Sequence, residues 1–171
     1  MPTFGRFSYG KPKLFWTNDD ADLIVGNFCS IAQGCCVFLG GNHRTDWVTT
    51  FPFGHVNKHK FNNFNGLGHP ATNGNVTIGH DVWIGGNVTI MSGVSIGSGA
   101  VIANNTHVVK DVNAYSISGG NPAKHIKFRF NQDQINALLS IEWWHWPEEK
   151  INKNLPLLCN DNIDRFIDLH I

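Results

Sequence analysis

Histidine is the residue of this chain best suited to moving a proton near neutral pH. The sequence contains nine histidines, and an imidazole with an ordinary pKa of about 6.5 can act as base or acid there. His43 stands in the run Gly41-Asn42-His43-Arg44. A loop histidine more often only bonds to nearby backbone, so His43 becomes a candidate general base only through its context. Asp46, three residues further on, is a weak candidate for orienting its ring.

The other histidines have simpler explanations. His55, His59 and His69 lie in a stretch rich in His, Lys and Asn, which explains them as well as contact with a substrate does. A metal site built from these three would need a fixed geometry that the sequence does not show. His80 and His107 fall at turn or outward positions of the repeat described below, where a surface or interface role is expected.

Four cysteines raise the question of disulfides or zinc. Cys29, Cys35 and Cys36 fall inside a strand-like stretch, and Cys159 lies near the end of the chain. Neighbouring residues on a strand point to opposite faces, and no paired Cys-x-x-Cys follows. We therefore predict reduced cysteines, with Cys29 and Cys35 packed in the core, and no metal.

A six-residue repeat is the strongest pattern in the chain. An aliphatic residue returns at every sixth position without one failure, at Ile78, Ile84, Ile90, Ile96, Ile102 and Val108. A second column of small or β-branched residues runs four positions behind it, at Val82, Val88, Val94, Ala100, Thr106 and Val112. A third column holds residue types that tolerate left-handed backbone, at Asp81, Asn87, Gly93, Gly99, Asn105 and Asp111. Each hexapeptide is thus predicted to be a short strand ending in a corner.

Stacked hexapeptides of this kind predict an all-β solenoid, a parallel β-helix in which each coil covers the apolar columns of the coil beneath. Val25, Ile31 and Val37 keep the same spacing earlier in the chain. The register is broken between them and Ile78, so a protruding loop is predicted at about 38–75. A loop of that length in a compact domain is usually functional.

The C-terminal part changes character. Asn131-Gln132-Asp133 can cap a helix whose apolar residues, Ile135, Leu138 and Leu139, have helical spacing. Pro147 fits the first turn of a second helix, after three tryptophans. We predict a β-helix domain over 1–130 and a helical extension over 131–171, which caps the end of the solenoid.

Charge and hydropathy restrict the partners. Thirteen basic and thirteen acidic side chains cancel, so nothing favours nucleic acid or an anionic membrane as the main partner. No apolar run approaches the roughly 20 residues that span a bilayer, and the first ten residues lack the apolar middle of a signal peptide. We expect a cytoplasmic protein with a small-molecule ligand and no membrane insertion.

Taken in order, the motifs resemble those of the xenobiotic acetyltransferases, which include streptogramin and hexapeptide-type chloramphenicol acetyltransferases. The resemblance covers most of the chain, and it is the order of the motifs that makes it strong. The motifs are Gly26-Asn27-Phe28-Cys29-Ser30-Ile31, Gly41-Asn42-His43-Arg44, Phe51-Pro52-Phe53, Asp81-Val82-Trp83-Ile84-Gly85, Gly119-Gly120-Asn121-Pro122-Ala123 and Trp143-Trp144-His145-Trp146-Pro147.

This resemblance implies left-handed coils, a homotrimer with active sites between subunits, and acetyl-CoA as donor. Handedness does not follow from the residues, since parallel crossovers are generally right-handed. His43 occupies the family's catalytic position, where it would take the proton of an acceptor hydroxyl that attacks the thioester directly. No Cys or Ser nucleophile is then needed.

The resemblance also implies a binding site for acetyl-CoA. Gly120, Asn121, Pro122 and Ala123 would form a loop over the pantetheine arm, while Lys124 and Arg129 could neutralise phosphates. Gly85 and Ala103 have side chains small enough for the arm to pass. Trp83, outward in the repeat, could flank this channel or stack across the trimer interface.

Aromatic residues near the N-terminus and in the loop could hold the acceptor. We predict contacts from Tyr9, Asp46, Trp47 and Phe53, because aromatic faces suit both sugars and antibiotics. The acceptor could be a xenobiotic or a sugar of a surface polysaccharide. The segment Val56–Asn75 looks least like the antibiotic-modifying members, which slightly favours a carbohydrate.

Three alternatives remain open at this point. One is an N-acetyltransferase acting on an amino sugar. The second is a metalloenzyme like the γ-class carbonic anhydrases, which share the β-helix and need three converging histidines. A non-catalytic scaffold is the third. The Gly119–Ala123 loop and basic tail favour a CoA enzyme over a hydratase.

Overall fold

Three β-sheets form the body of the molecule in the computed structural model, which describes residues 1–17 and 20–171. Sheet A contains β1 (Thr3–Phe4), β3 (Leu23–Val25), β6 (Val76–Ile78) and β9 (Ser95–Ile96). Sheet B contains β4 (Ser30–Ile31), β7 (Trp83–Ile84), β10 (Val101–Ile102), β12 (Ser116–Gly119) and β13 (Lys124–Phe128). Sheet C contains β2 (Lys13–Phe15), β5 (Cys36–Phe38), β8 (Thr89–Ile90) and β11 (His107–Val108).

The chain visits the three sheets in turn. From β3 to β11 each successive strand enters sheet A, then B, then C, and neighbouring strands within a sheet are parallel except for β12 and β13. Ile78 lies beside Ile96, and Ile84 beside Ile102, so equivalent residues are 18 positions apart. Three hexapeptides therefore make one circuit, as the period of six requires.

Both apolar columns lie inside the coil, as predicted. Every member of the Ile78-to-Val108 column and of the Val82-to-Val112 column is buried. Cys29 and Cys35 are also buried and continue the second column in the preceding circuit of the coil. Their thiols donate to the carbonyl oxygens of Gly79 at 3.0 Å and Gly85 at 3.2 Å. Burial raises the pKa of both thiols, so these cysteines are packing residues in the protonated form.

The corners follow the third column with one exception. Asp81, Asn87 and Asn105 have φ between 53° and 58°, and Gly93 and Gly99 are also left-handed. Gly99 has a second reason to be glycine, because a Cβ there would lie 2.5 Å from the Tyr115 ring. Asp111 does not adopt this conformation; its carboxylate instead accepts from the backbone N–H of Ser95 at 2.8 Å.

The segment between β5 and β6, residues 39–75, leaves the coil and is called the excursion below. Its two ends are joined by a pair of backbone hydrogen bonds between Asn42 and Ala71, at 3.0 and 2.8 Å. The Asn42 amide also donates to Ser92 Oγ at 2.9 Å. The excursion is therefore attached where the strands of sheet C end.

Three helices cover one side of the coil. They are α1 (Gln132–Ile141), α2 (Glu148–Leu158) and α3 (Ile163–Asp168), with a 3-10 turn at Trp143–His145. Asn131 and Gln134 form a capping box at the start of α1. Pro147 is the residue before α2, one position earlier than expected. Their core contains Tyr115, Ile135, Leu138, Trp144, Trp146 and Phe166.

Several elements were not predicted. The N-terminal strands β1 and β2 extend sheets A and C, although residues 1–15 carry no hexapeptide pattern. Arg6 follows β1 and donates to the backbone carbonyls of Trp144, at 3.0 Å, and Trp146. This contact ties the start of the chain to its helical cap. No helix in the described residues is long and apolar enough to cross a bilayer.

Candidate active site

His43 lies just after the point where the excursion leaves sheet C, and its ring has a defined partner. Its Nδ1 lies 2.7 Å from the carbonyl oxygen of Thr50. A carbonyl can only accept, so Nδ1 must carry the proton and the neutral ring keeps its lone pair on Nε2. The side chain is exposed, so a substrate hydroxyl can reach this lone pair. This is the tautomer that a general base requires.

Asp46 does not orient His43. Both of its carboxylate oxygens contact the Arg44 guanidinium, with Arg44 Nε 2.7 Å from Oδ1. The hydrogen bond from Arg44 lowers the pKa of Asp46 to about 2. This pair lies on the surface beside Trp47, over which the Arg44 guanidinium stacks at 5.2 Å.

Two more histidines of the excursion form a chain of ring contacts with His43. The ring of His69 meets that of His43 nearly edge-on, with 4.7 Å between centroids, and His55 lies 6.0 Å from His69 on another side. His55 Nε2 donates to the Gly66 carbonyl at 3.2 Å. His69 is only 4% exposed, and neither of its ring nitrogens has a hydrogen-bond partner. Among the described residues no three His, Cys, Asp or Glu side chains converge as metal ligands do.

A cavity of about 610 Å³ opens within the excursion. Two predicted acceptor contacts, Trp47 and Phe53, lie in its wall. Thr49 and Phe51 also line it, and they flank the residue that holds the ring of His43. The remaining lining residues are Lys60, Phe61, Asn62, Asn63 and Phe64. Among the residues that the structure describes, the wall is mainly aromatic and contains no carboxylate.

The residues predicted to bind the pantetheine arm are stacked along one edge of the coil. Gly85 and Ala103 follow β7 and β10 of sheet B at the corners that lead to sheet C, and Gly120 follows β12 of sheet B, before the turn to β13. The Gly85 N–H donates to the Ile102 carbonyl at 2.8 Å, and the Ala103 N–H donates to the Ser118 carbonyl at 2.9 Å. The corner thus presents a narrow strip with little side-chain bulk.

The turn at Gly120-Asn121-Pro122-Ala123 lies against sheet C. The His107 N–H donates to the Gly120 carbonyl at 3.0 Å, and the Ala123 N–H donates to the His107 carbonyl at 2.8 Å. Lys124 follows it at the start of β13 and is exposed. The predicted loop and one predicted phosphate ligand are therefore adjacent.

Arg129 lies at the other end of β13 from this turn. Its guanidinium donates to the Gly99 carbonyl at 2.7 Å, stands 3.6 Å from Asp81, and stacks on the rings of Tyr115 and Phe130. These contacts join the coil to the helical cap. Because β13 lies between Lys124 and Arg129, Arg129 is remote from the Gly120 turn.

Tyr9 and Trp83 are brought together, away from the excursion. Tyr9 pairs with Ser30, and Ser30 pairs with Trp83, on the outer face of sheet B. Both aromatic side chains are more than half exposed, at 65% and 57%. Tyr9 is thus a neighbour of the predicted CoA residue Trp83, whereas Asp46, Trp47 and Phe53 lie together in the excursion.

His43 and the strip predicted to bind CoA lie at opposite edges of sheet C. Gly85 and Ala103 lie just before β8 and β11 of this sheet, whereas His43 lies beyond the end of β5. One chain therefore does not bring His43 next to its own strip. Sequence reasoning could not find the Thr50 carbonyl, since any residue supplies one, or the packing of His69 against His43.

Comparison with known proteins identifies the family. Residues 75–110 match the model of the bacterial transferase hexapeptide (six repeats). The chain is 46% identical over 153 residues to a chloramphenicol acetyltransferase of Klebsiella aerogenes, covering 88% of this chain and 72% of that protein. It is 47% identical over 149 residues to a probable macrolide acetyltransferase of Lysinibacillus sphaericus, covering 81% and 78%.

Solved structures agree in fold. A hexapeptide-repeat acetyltransferase from Vibrio cholerae superimposes with a TM-score of 0.56 at 23% identity, covering 76% of this chain and 64% of that one. At this identity the likeness concerns the fold alone. The chain belongs to the xenobiotic acetyltransferases of the hexapeptide-repeat family and is an acetyltransferase.

Proposed function

We propose that this protein transfers the acetyl group of acetyl-CoA to a hydroxyl of a small xenobiotic acceptor, with His43 as general base. The observation that supports the proposal most directly is the 2.7 Å contact between His43 Nδ1 and the Thr50 carbonyl. It fixes the ring and leaves Nε2 free to take a proton. The bond plays the orienting part that a carboxylate plays in many histidine-dependent enzymes.

The reaction needs one attack and two proton movements. The acceptor oxygen attacks the thioester carbonyl carbon while its proton passes to His43 Nε2. The tetrahedral intermediate then collapses, the carbon–sulfur bond breaks, and the thiolate of CoA takes the proton from His43. Both substrates meet in one complex, so positioning supplies much of the rate. The buried thiols of Cys29 and Cys35 take no part.

The strip along Gly85, Ala103 and Gly120 is the proposed site of the pantetheine arm. Its small residues, of which Gly120 is exposed and Ala103 partly exposed, suit an extended chain lying between coils, beneath the turn Gly120–Ala123. Lys124 is the proposed phosphate ligand, together with Lys127, because both are exposed on β13. Arg129 is left out, since its contacts serve the junction with the helical cap. Acetyl-CoA is a cytoplasmic metabolite, so we place the enzyme there.

We further propose left-handed coils and a homotrimer. A second copy would bring its donor strip to the edge of sheet C that carries His43. The exposed pair Tyr9 and Trp83 would face the neighbouring subunit, where Tyr9 could reach the acceptor of an adjacent site. Apolar side chains exposed in this way are typical of protein interfaces. Trp83 would then lie at the subunit interface and beside the CoA channel at the same time, so its two predicted roles are compatible.

The aromatic cavity supports an uncharged, flat acceptor. Its wall presents rings from Trp47, Phe53 and Phe61, and Lys60 is the one charged lining residue in the described part of the chain. Carbohydrate sites also use aromatic faces, but they normally add several carboxylates or amides that bind hydroxyls. Here the described residues contribute two amides to the wall, those of Asn62 and Asn63. We therefore favour an antibiotic-like acceptor over the polysaccharide sugar that the sequence slightly favoured.

Thiol release from acetyl-CoA, measured with chloramphenicol, a macrolide and simple glycosides, tests the proposal. His43→Ala should lower acceptor-dependent release by about 10²–10⁴-fold, the usual value of a general base. His59→Ala is the matched control, because His59 is an exposed histidine of the same excursion. Sedimentation of both variants checks assembly. Undiminished release by a correctly assembled His43→Ala variant would refute the mechanism.

A further inference from the structure

His69 is the one buried histidine of the excursion, and the mechanism above makes no use of it. Only 4% of His69 is exposed, yet both ring nitrogens lack hydrogen-bond partners. Buried polar atoms are nearly always paired, because an unpaired one loses its bonds to water without replacement. The fold therefore carries a cost at this position that a phenyl ring of similar shape would avoid.

The position of His69 connects the base with the cavity. Its ring lies 4.7 Å from that of His43 and 6.1 Å from that of Trp47. Trp47 lines the cavity and contacts Phe64, another lining residue, at 5.8 Å. The indole of Trp47 is thus the wall between His69 and the space proposed for the acceptor.

Backbone contacts hold His69 in this place. The Asn42–Ala71 hydrogen bonds keep the two ends of the excursion side by side, so that His43 and His69 face each other. The His69 N–H donates to the Gly66 carbonyl at 3.1 Å. Gly68 has φ of +82°, and a Cβ there would lie 3.6 Å from the Trp47 ring. The backbone N–H of His69 is thus paired, whereas its imidazole is not.

We propose that His69 is a second polar residue of the acceptor site, whose ring nitrogen bonds a polar group of the acceptor next to the hydroxyl that His43 deprotonates. This inference rests on the proposed function. An acceptor that displaces the Trp47 indole uncovers the imidazole and gives its nitrogens the partner they lack. Burial lowers the pKa of His69, and the nearby His43, His55 and Arg44 lower it further. The neutral ring can donate at one nitrogen and accept at the other.

The test compares His69→Phe with the wild type and with His55→Phe. Phenylalanine keeps the ring but removes both nitrogens. His69→Phe should melt about 2–4 °C higher, because it relieves an unpaired buried group. Its KM for chloramphenicol should rise about 10- to 100-fold, because the bound acceptor loses a hydrogen bond. Its kcat should change less, and His69→Gln should restore part of the affinity through its amide.

His55→Phe is the matched control within the same cluster. His55 already bonds the Gly66 carbonyl, so its variant should melt lower than the wild type and keep the wild-type KM. An unchanged KM in His69→Phe, with the wild type active, would show that His69 only packs. Loss of assembly in His69→Phe alone would place its nitrogens at a subunit interface and also overturn the inference. A wild type that neither binds nor acetylates any acceptor would instead contradict the proposed function, and this inference with it.

Discussion

The coil and the excursion hold their side chains in place by different means. In the coil, each residue has an equivalent 18 positions away, and backbone hydrogen bonds between neighbouring strands repeat from one circuit to the next. In the excursion, single contacts fix the chain, such as His43 with the Thr50 carbonyl and Asn42 with Ala71. Stability should therefore depend on the coil, and chemistry on a region whose order rests on few bonds.

The largest effect is expected in the core of the coil. Ile84 is completely buried, and Ile84→Ala should lower the free energy of unfolding by about 2–5 kcal/mol through lost burial and a cavity. Val48→Ala in the excursion is the counterpart, since Val48 is fully exposed; it should change the free energy by less than about 0.5 kcal/mol. Urea denaturation measures both. An equal loss of unfolding free energy in the two variants would contradict the inference that stability depends on the coil.

A smaller loss is expected where the coil meets its cap. Arg6→Ala removes the donors to the carbonyls of Trp144 and Trp146 and should cost about 1.5–3 kcal/mol, the range for hydrogen bonds made by charged groups. Arg6→Lys should recover part of it. Denaturation followed by tryptophan fluorescence reports on the cap. Turnover per folded molecule should stay at the wild-type level, because the excursion is untouched.

The same junction should be sensitive to acid. The Asn27 N–H donates to His80 Nδ1 at 2.8 Å, and the His80 ring stacks on Trp144. Burial lowers the pKa of His80, His145 lowers it further, and Glu142 acts in the opposite sense. The folded protein therefore binds this proton less readily than the unfolded chain. Its contribution to stability is fully present above about pH 6.5 and declines as pH falls from there towards the lowered pKa.

Melting temperatures between pH 7.5 and 5 test this junction. His80→Gln should flatten the part of the decline that His80 causes, because glutamine does not titrate. His59→Gln is a control, since His59 is an exposed histidine of the excursion. A decline that is identical in the His80 variant and the wild type would exclude this group as its source.

The smallest effect is expected at the surface pair of Arg44 and Asp46. Both groups are solvent-accessible, and such pairs contribute little to folding. Asp46→Asn should leave the melting temperature unchanged. Because the Asp46 carboxylate is already engaged by Arg44, the KM for the acceptor should shift by no more than about threefold, well below the change expected for His69→Phe. A larger shift in steady-state kinetics would make Asp46 an acceptor ligand.

The same contrast explains what sequence reasoning could reach. The period of six predicted the buried columns and the left-handed corners, because those features repeat and each position has five others to support it. The excursion offers no repeat, so its contacts could not be predicted. The Thr50 carbonyl is backbone, and the burial of His69 depends on a fold that brings residues 42 and 71 together. Strands β1, β2 and β13 were missed because they lie on the coil without obeying its period.

The clasp between Arg6 and the tryptophan turn has a consequence for biosynthesis. Its partners are separated by 138 and 140 residues. Arg6 therefore cannot form these hydrogen bonds until the chain has been synthesised as far as Trp146. The coil can be assembled circuit by circuit from local contacts, whereas this closure is among the most non-local in the protein. Chains released before Trp144 would hold a coil whose side, where the helices pack, stays uncovered. The contact of Arg6 thus distinguishes chains that have reached Trp146 from shorter ones, and proteases should cleave the shorter ones first.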